Sequence, residues 1–514
     1  MDSYAVCSGD PSCKHFYTNN LGDSLEARFF RTMLKTELNY TPALEPVQPV
    51  TLDSFLNRTR ELATHGFQPL ALFGTDEKLI YALMGKPHEL ELFCTPFPQN
   101  LHYPSLSREF PSFQIFEREL YEEYGIIPTN HPWLKSVRHP LQGPVKIEDY
   151  VFLKSDSKLI HEVGVGPVHA GVIEPGHFRF LMRGEIVEHL EIQLGYQHRD
   201  LINMLCEGPL AGKMPLVETI AGDTVIGHGT AFCRLVESLS ESSFQANDIR
   251  ALLLEMERVA MHLSTLSALA GDVAYIMGQN LFAALRTTVI NSTLSICGSR
   301  FGKRALCVGG VNYPLNKTLI DTLKTKMQKC AVQIQSTSEA MFASSSLLSR
   351  FDDTGKISSA DALRFGFTGI SAKASGIAVD ARADFPIWQY PDFAVQTEAT
   401  GDVYARAKLR YMEIMQSLQM IQELLDQIDP SAPIQAPVKE LIPDKIAVSI
   451  VEGARGRIVH IAKSKDEHSA LWYRVIDPSL VNWQALSMAV AGEQISDFPL
   501  CNKSFDLSYC GSDL

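Results

Sequence analysis

No two of this chain's ten cysteines are separated by two residues. That absence excludes a zinc site or a local iron–sulfur binding run, both of which are written as closely spaced thiolates. Also absent is any window of about 20 uninterrupted apolar residues, the length a membrane span demands. The nearest, 263–285, contains Asp272, Gln279 and Asn280 and reads as buried helix. Basic residues are not in excess: 46 Lys and Arg against 59 Asp and Glu leave a net charge of −13. A nucleic-acid surface, which needs a basic stripe, is thereby excluded. No signal peptide is expected, so the thiols read as reduced. Cys206, Cys297 and Cys307 read as core residues, whereas Cys7 and Cys13 lie in a polar segment without periodicity. No repeat or low-complexity tract appears.

What is present is a long chain of ordinary composition, 514 residues with 45% hydrophobic and 20% charged. That length exceeds a single core, so two or more domains are expected. Residues 1–22 read as a flexible N-terminus. A helix is predicted over 23–40, then a Pro-marked break, then a helix from a Thr51 cap to Thr64. Three short apolar runs at 69–73, 79–84 and 89–93 predict a small antiparallel sheet. Residues 116–124 form a charged helix ended by Gly125. Residues 143–160 read as a linker with some strand, and two strands flank the turn at Gly184-Glu185. Beyond 185 the pattern is mainly helical, with long helices at 247–270, 317–348 and 401–428; short strands return from about 444. The fold class is α+β: a small N-terminal α/β-sandwich-like domain (23–142), then a mainly helical bundle domain with small β subdomains (161–514).

Six stretches carry a family resemblance. Gly166-Pro-Val-His169-Ala-Gly171 runs on through Glu174-Pro-Gly-His177-Phe178. Gly195-Tyr-Gln-His-Arg-Asp200 follows. Leu254-Glu255 with Arg258, His262 and Asp272 places charged groups along one helix, Glu255, Arg258 and His262 falling on one face. Gly401-Asp402-Val403-Tyr404 opens a later helix, and Glu452-Gly-Ala-Arg455-Gly456 and the segment 504–514 complete the set. Together they resemble the large subunit of group 4 membrane-bound NiFe hydrogenases (the hydrogenase-4 and formate hydrogenlyase type), a family that shares its fold with the complex I 49 kDa subunit. The 116–135 region resembles the end of the complex I 30 kDa subunit.

The resemblance implies a subunit of a membrane-associated, complex I-like oxidoreductase assembly, coupling redox events to ion translocation at the cytoplasmic face of the membrane, as a peripheral protein. It implies partners: a small subunit carrying a 4Fe–4S cluster, a ferredoxin-like subunit, and membrane subunits that move ions. It also locates four nickel-ligand positions, which fall here at Ala221, Thr224, Ser508 and Gly511. Nickel requires soft thiolates, and none of the four residues supplies one, so the chain itself is expected to bind no metal. In the complex I version of the same pocket a quinone is held, and His169, His177, His228, Asp272 and Arg455 are the candidates to line such a cavity. Two readings stay open for His169 and His177, ligand contact or backbone hydrogen bonding. Two stay open for Glu255, Arg258 and His262, a buried ion-pair network or a protonation relay. A scaffold subunit without substrate, and a hydrogenase using Cys233 and Cys510 as unusual ligands, are the remaining alternatives.

Overall fold

The computed structural model describes residues 33–35, 43–171, 173–388, 390 and 393–514. The predicted tail 1–22, with Cys7 and Cys13, lies outside them. The N-terminal unit is a four-stranded antiparallel sheet in the spatial order Met33–Lys35, Glu89–Pro96, Leu79–Lys86, Gln68–Gly74. Met33–Lys35 is an edge strand, not helix, because pairing with Glu89–Pro96 outweighs local preference; the rest of the predicted 23–40 helix lies outside the described residues. The helix Leu52–Thr64 begins where Thr51 Oγ1 accepts the Ser54 amide (3.3 Å). It lays Phe55, Leu56 and Leu62 on the sheet, with Phe55 packed on Phe93. A second helix, Gln114–Tyr124, ends at Gly125 in the left-handed conformation that glycine adopts freely.

Residues 143–160 contain one 3₁₀ turn, Ile147–Asp149, and no strand. They are tied down instead by Glu191, which accepts from the Tyr150 hydroxyl (2.7 Å) and the Leu153 amide (2.8 Å). A three-stranded sheet follows (His161–Val165, His177–Arg183, Ile186–Gln193). Four long helices, Asn247–Asp272, Ile276–Cys297, Lys317–Phe342 and Val403–Gln427, pack as a ring in which each touches two neighbours. The third stops at Phe342 and restarts as Ser345–Phe351, rather than running on to 348. A second three-stranded sheet (Ile446–Glu452, Arg457–Ser464, Ala470–Ile476) leads into the helices Pro478–Val490, Phe498–Phe505 and Tyr509–Asp513.

The hydrophobic core of the N-terminal unit does not end with that unit. Ile446, Val448, Ile461, Trp472 and Ile476 belong to it. Trp472 packs edge-on and tilted against the stacked pair of Phe73 and Tyr81, and Leu44 exchanges backbone hydrogen bonds with Ile446. The larger core lies among the four helices and the second sheet.

Candidate functional site

Three segments distant in sequence converge: the 166–177 loop, residues 221–224 ahead of the helix Val225–Leu239, and the C-terminal stretch 504–514. Arg455, buried in the turn after the strand Ile446–Glu452, joins the last two. Its guanidinium grips Asp223 in a two-pronged pair (2.8 and 2.7 Å), donates to Thr224 Oγ1 (3.1 Å) and, through Nε, to the Asp506 carbonyl. Burial opposes ionisation of Asp223, but the Arg455 charge outweighs it and holds the carboxyl below its ordinary value. The amides at the start of Val225–Leu239 are taken by Glu257, which accepts from Ile226 (2.7 Å) and Gly227 (3.0 Å). Burial, with Asp223 nearby, pushes Glu257 up to about 8.

Of the four predicted nickel-ligand positions, two carry hydroxyls already engaged and two carry no ligating group. Ala221 is a buried methyl. The Thr224 hydroxyl is held by Arg455. Ser508 Oγ caps the last helix by accepting the Gly511 amide (3.0 Å). A Cβ at Gly511 would stand 2.7 Å from the Asp477 carboxylate, so a cysteine there collides with a group already in place. One methyl, two engaged hydroxyls and a glycine do not fit nickel. Cys510 is turned toward Glu174 and Ser508 Oγ (3.5 Å), and burial together with the Glu174 charge pushes its thiol up to about 11. Cys233 has Arg250, Glu237 and Cys307 around it; among the described residues nothing brings these two thiols together.

His228 emerges with partners that sequence reading did not supply. Its Nε2–H donates to Asp477 (3.1 Å), and its Nδ1 meets His460 Nε2 (3.1 Å); His460 Nδ1 in turn pairs with the Tyr473 hydroxyl (2.7 Å). All four side chains are essentially inaccessible. Burial, reinforced by His228, drives His460 well below its ordinary value, so it is neutral. An ionised Asp477 makes His228 Nε2–H a donor, and Asp477, His228, His460 and Tyr473 form one continuous buried row of hydrogen bonds.

His169 and His177 bond backbone. His169 Nε2 donates to the Gly176 carbonyl (2.8 Å) and His177 Nδ1 to that of Gly166 (3.0 Å), which folds the loop on itself. Gly166 is required there: its φ is +82°, and a Cβ would lie 2.2 Å from the Gly176 oxygen. Asp272 does not join these histidines. It sits at the end of Asn247–Asp272, near the surface, paired with Lys503.

Glu255, Arg258 and His262 stand in a buried charge network whose other members are far away in sequence. Glu255 accepts from Arg258 (3.1 Å), Ser417 (2.6 Å) and Arg382 (3.3 Å). Lys373 lies between Asp380 (2.9 Å), Glu413 (2.5 Å) and Glu452 (3.6 Å). Burial lowers His262 to about 4, so a neutral ring donates Nε2–H to Glu413 (2.8 Å) and accepts at Nδ1 from Arg410 (3.1 Å). Burial opposes ionisation of Glu413, but Lys373 outweighs it and holds the group well down; Glu452, by contrast, is pushed up to about 7 by burial and by Asp380. The network reaches the site at both ends. Arg258 donates to the Glu452 and Gly453 carbonyls beside the Arg455 turn, and Arg410 to those of Ser504 and Phe505.

Comparison with known proteins places this arrangement. Residues 46–145 match the family model described as the 30 Kd subunit of respiratory-chain NADH dehydrogenase, and residues 272–448 that of the 49 Kd subunit. The carbon monoxide-induced hydrogenase of Rhodospirillum rubrum is 28% identical over 67% of this chain and 97% of its own length. Formate hydrogenlyase subunit 5 of Escherichia coli is 27% identical over 80% of this chain and 77% of its own. A chain of the membrane-bound sulfane sulfur reductase, an archaeal respiratory membrane complex, shares the fold with a TM-score of 0.66 at 22% identity, covering 70% of this chain and all of that one. The chain thus carries 30 Kd-type and 49 Kd-type domains in one polypeptide. Its homologues are formate hydrogenlyase and hydrogenase-4 subunits and the C/D subunits of NADH-quinone oxidoreductase.

Proposed function

We propose that this homologue of hydrogenase-4 and complex I subunits works in a membrane-associated oxidoreductase assembly of that type, with no NiFe centre of its own. The observation that carries the reading is the state of the four ligand positions. They hold no thiolate, and the Arg455–Asp223–Thr224 contacts and the Gly511–Asp477 approach use the space and bonding a metal would need. The chain forms one wall of a cavity beside a 4Fe–4S cluster held by a partner small subunit, and further partners are a ferredoxin-like subunit and ion-translocating membrane subunits. Exposed apolar residues around the 166–177 loop support docking on that side: Val168 is 81% exposed and Ile173 48%. Among the described residues no helix is long and apolar enough to cross a membrane, which supports peripheral attachment, assigned to the cytoplasmic face. The network from the Arg455 turn through Lys373 and Glu413 to the helical ring supports a coupling role, in which a charge change at the site alters protonation deeper in the chain.

The decisive experiment is nickel and iron analysis of the assembly purified through a tag on this subunit. Iron in cluster amounts without nickel is expected. Stoichiometric nickel overturns the reading.

A second reading, a small acceptor such as a quinone headgroup in the cavity, is favoured by one feature. Gly222 is exposed, and a Cβ there meets nothing within 4 Å, so open space lies beside Asp223 and Cys510. Gly222→Phe fills that space. Turnover unaffected by it removes the acceptor from this position.

A further inference from the structure

Between the N-terminal unit and the larger one lies a cavity of about 410 Å³, within the range of roughly 300–1,000 Å³ typical of small-molecule sites. Its apolar surface comes from Trp133, Phe365, Leu194 and Trp483. At its polar end stands Arg118. Nε donates to the Lys135 carbonyl (2.7 Å), Nη2 to that of Ser136 (3.1 Å), and Nη1 to Gln114 Oε1 (3.4 Å). All three acceptors are neutral, and a guanidinium has five N–H groups. The nearby carboxylates are engaged elsewhere: Glu122 on the Val137 and Arg138 amides, Glu119 on Arg138, Glu191 on Lys135 and Tyr150.

Two residues of the cavity wall each carry a polar atom without a partner. Ser136 Oγ and His189 Nε2 are buried without a hydrogen bond, and Ser136 is only 4% exposed. Burying such groups unsatisfied is costly, and folded proteins seldom do so without a ligand or water to complete them. Residues bearing a cation with unspent donors, an unpartnered hydroxyl and an unpartnered imidazole nitrogen therefore line one cavity with an aromatic wall. The Trp133 and His189 rings stand 5.8 Å apart.

We propose that this cavity binds a small organic acid with a flat apolar body and one carboxylate. The carboxylate accepts from Arg118 and Ser136, and the body lies against Trp133 and Trp483. Charge-assisted bonds of this kind are stronger than neutral ones, so the carboxylate is what the site selects.

Isothermal titration calorimetry of the full-length chain with 2-naphthoate, and with the neutral 2-naphthalenemethanol, tests the idea. The acid is expected to bind one to one, and the alcohol at least about tenfold more weakly. Gln484→Trp, which fills the cavity from the helix Pro478–Val490, should abolish binding of both. Arg118→Gln, which keeps an amide donor for the Lys135 carbonyl, should erase the preference for the acid. No saturable binding, equal binding of acid and alcohol, or a Gln484→Trp protein that binds as before overturns the proposal; should Arg118→Gln fail to fold, Gln484→Trp decides alone.

Discussion

Lys373 is the cation on which the buried network most depends, and its removal gives a sharp test. Its ammonium is shared by Asp380, Glu413 and Glu452, and all four side chains are at most 1% exposed. Lys373→Met keeps most of the volume, so little cavity is created. What is lost is charge. Removing one partner of a buried pair costs about 3–5 kcal/mol, and even with Glu452 replaced by Gln, Asp380 and Glu413 both lose their common partner. One of them is then forced to take up a proton, its folded pKa raised above the unfolded value. Stability from a group raised in this way is present at low pH and lost as pH rises through the folded pKa, so the deficit grows toward alkaline pH. One proton amounts to about 1.4 kcal/mol per pH unit, or about 2.7 kcal/mol between about pH 6 and pH 8. Glu452, itself raised to about 7, titrates in the same window, and the comparison is therefore made in a Glu452→Gln background. Urea unfolding followed by circular dichroism at the two pH values measures it. A deficit under about 1 kcal/mol, or one equal at both pH values, would falsify the view of a dry, charge-balanced cluster.

Other expectations follow from single contacts. Glu452→Gln alone should flatten the pH dependence of stability: raised to about 7, Glu452 weakens the folded state as pH climbs from about 5 to 8, and a neutral amide does not, so the variant gains relative to the parent at the alkaline end in urea titrations. Gly511→Cys, which restores one ligand type, should lose about 1–3 kcal/mol because its Cβ meets the Asp477 carboxylate at 2.7 Å; a variant as stable as the parent would show that Asp477 yields. Glu174→Gln should lower the Cys510 pKa and speed its alkylation by iodoacetamide at mildly alkaline pH, read by peptide mass spectrometry; an unchanged rate means the carboxylate does not act on the thiol. Asp477→Ala removes the acceptor of His228 and the cap of Pro478–Val490, whose Ser479 amide it holds at 2.7 Å; a loss of about 2–3 kcal/mol in thermal or urea unfolding is expected from those two terms.

Motifs and periodicity exposed much of this in the sequence. The 247–272 helix, the strands around Gly184 and the Thr51 cap could be read because their signals are local: spacing, a turn glycine, a capping hydroxyl. Arg455 and His228 could be named because short motifs surround them. Their partners could not. Asp223, Asp477, His460 and Tyr473 carry no motif, and Glu413 meets His262, as Arg382 meets Glu255, across more than 100 positions. Only the packing of helices against the second sheet sets those distances. Asp272 shows the converse: its place in a motif suggested the cavity, yet helix geometry carries it to the end of Asn247–Asp272, beside Lys503. At Met33–Lys35 a helical-looking pattern lost to an open sheet edge.

The core shared between the two units also bears on how the chain is made. Its N-terminal part runs to Val137, but the strands that complete it begin only at Ile446, about 300 residues later. At about 5–20 residues per second, a ribosome leaves the sheet around Phe73 and Tyr81 without Trp472 for roughly 20 to 75 seconds. During that interval the nascent domain lacks the side chain that covers this aromatic pair. For the same reason, cutting the gene between the two units would yield two fragments that each need the other in order to be soluble.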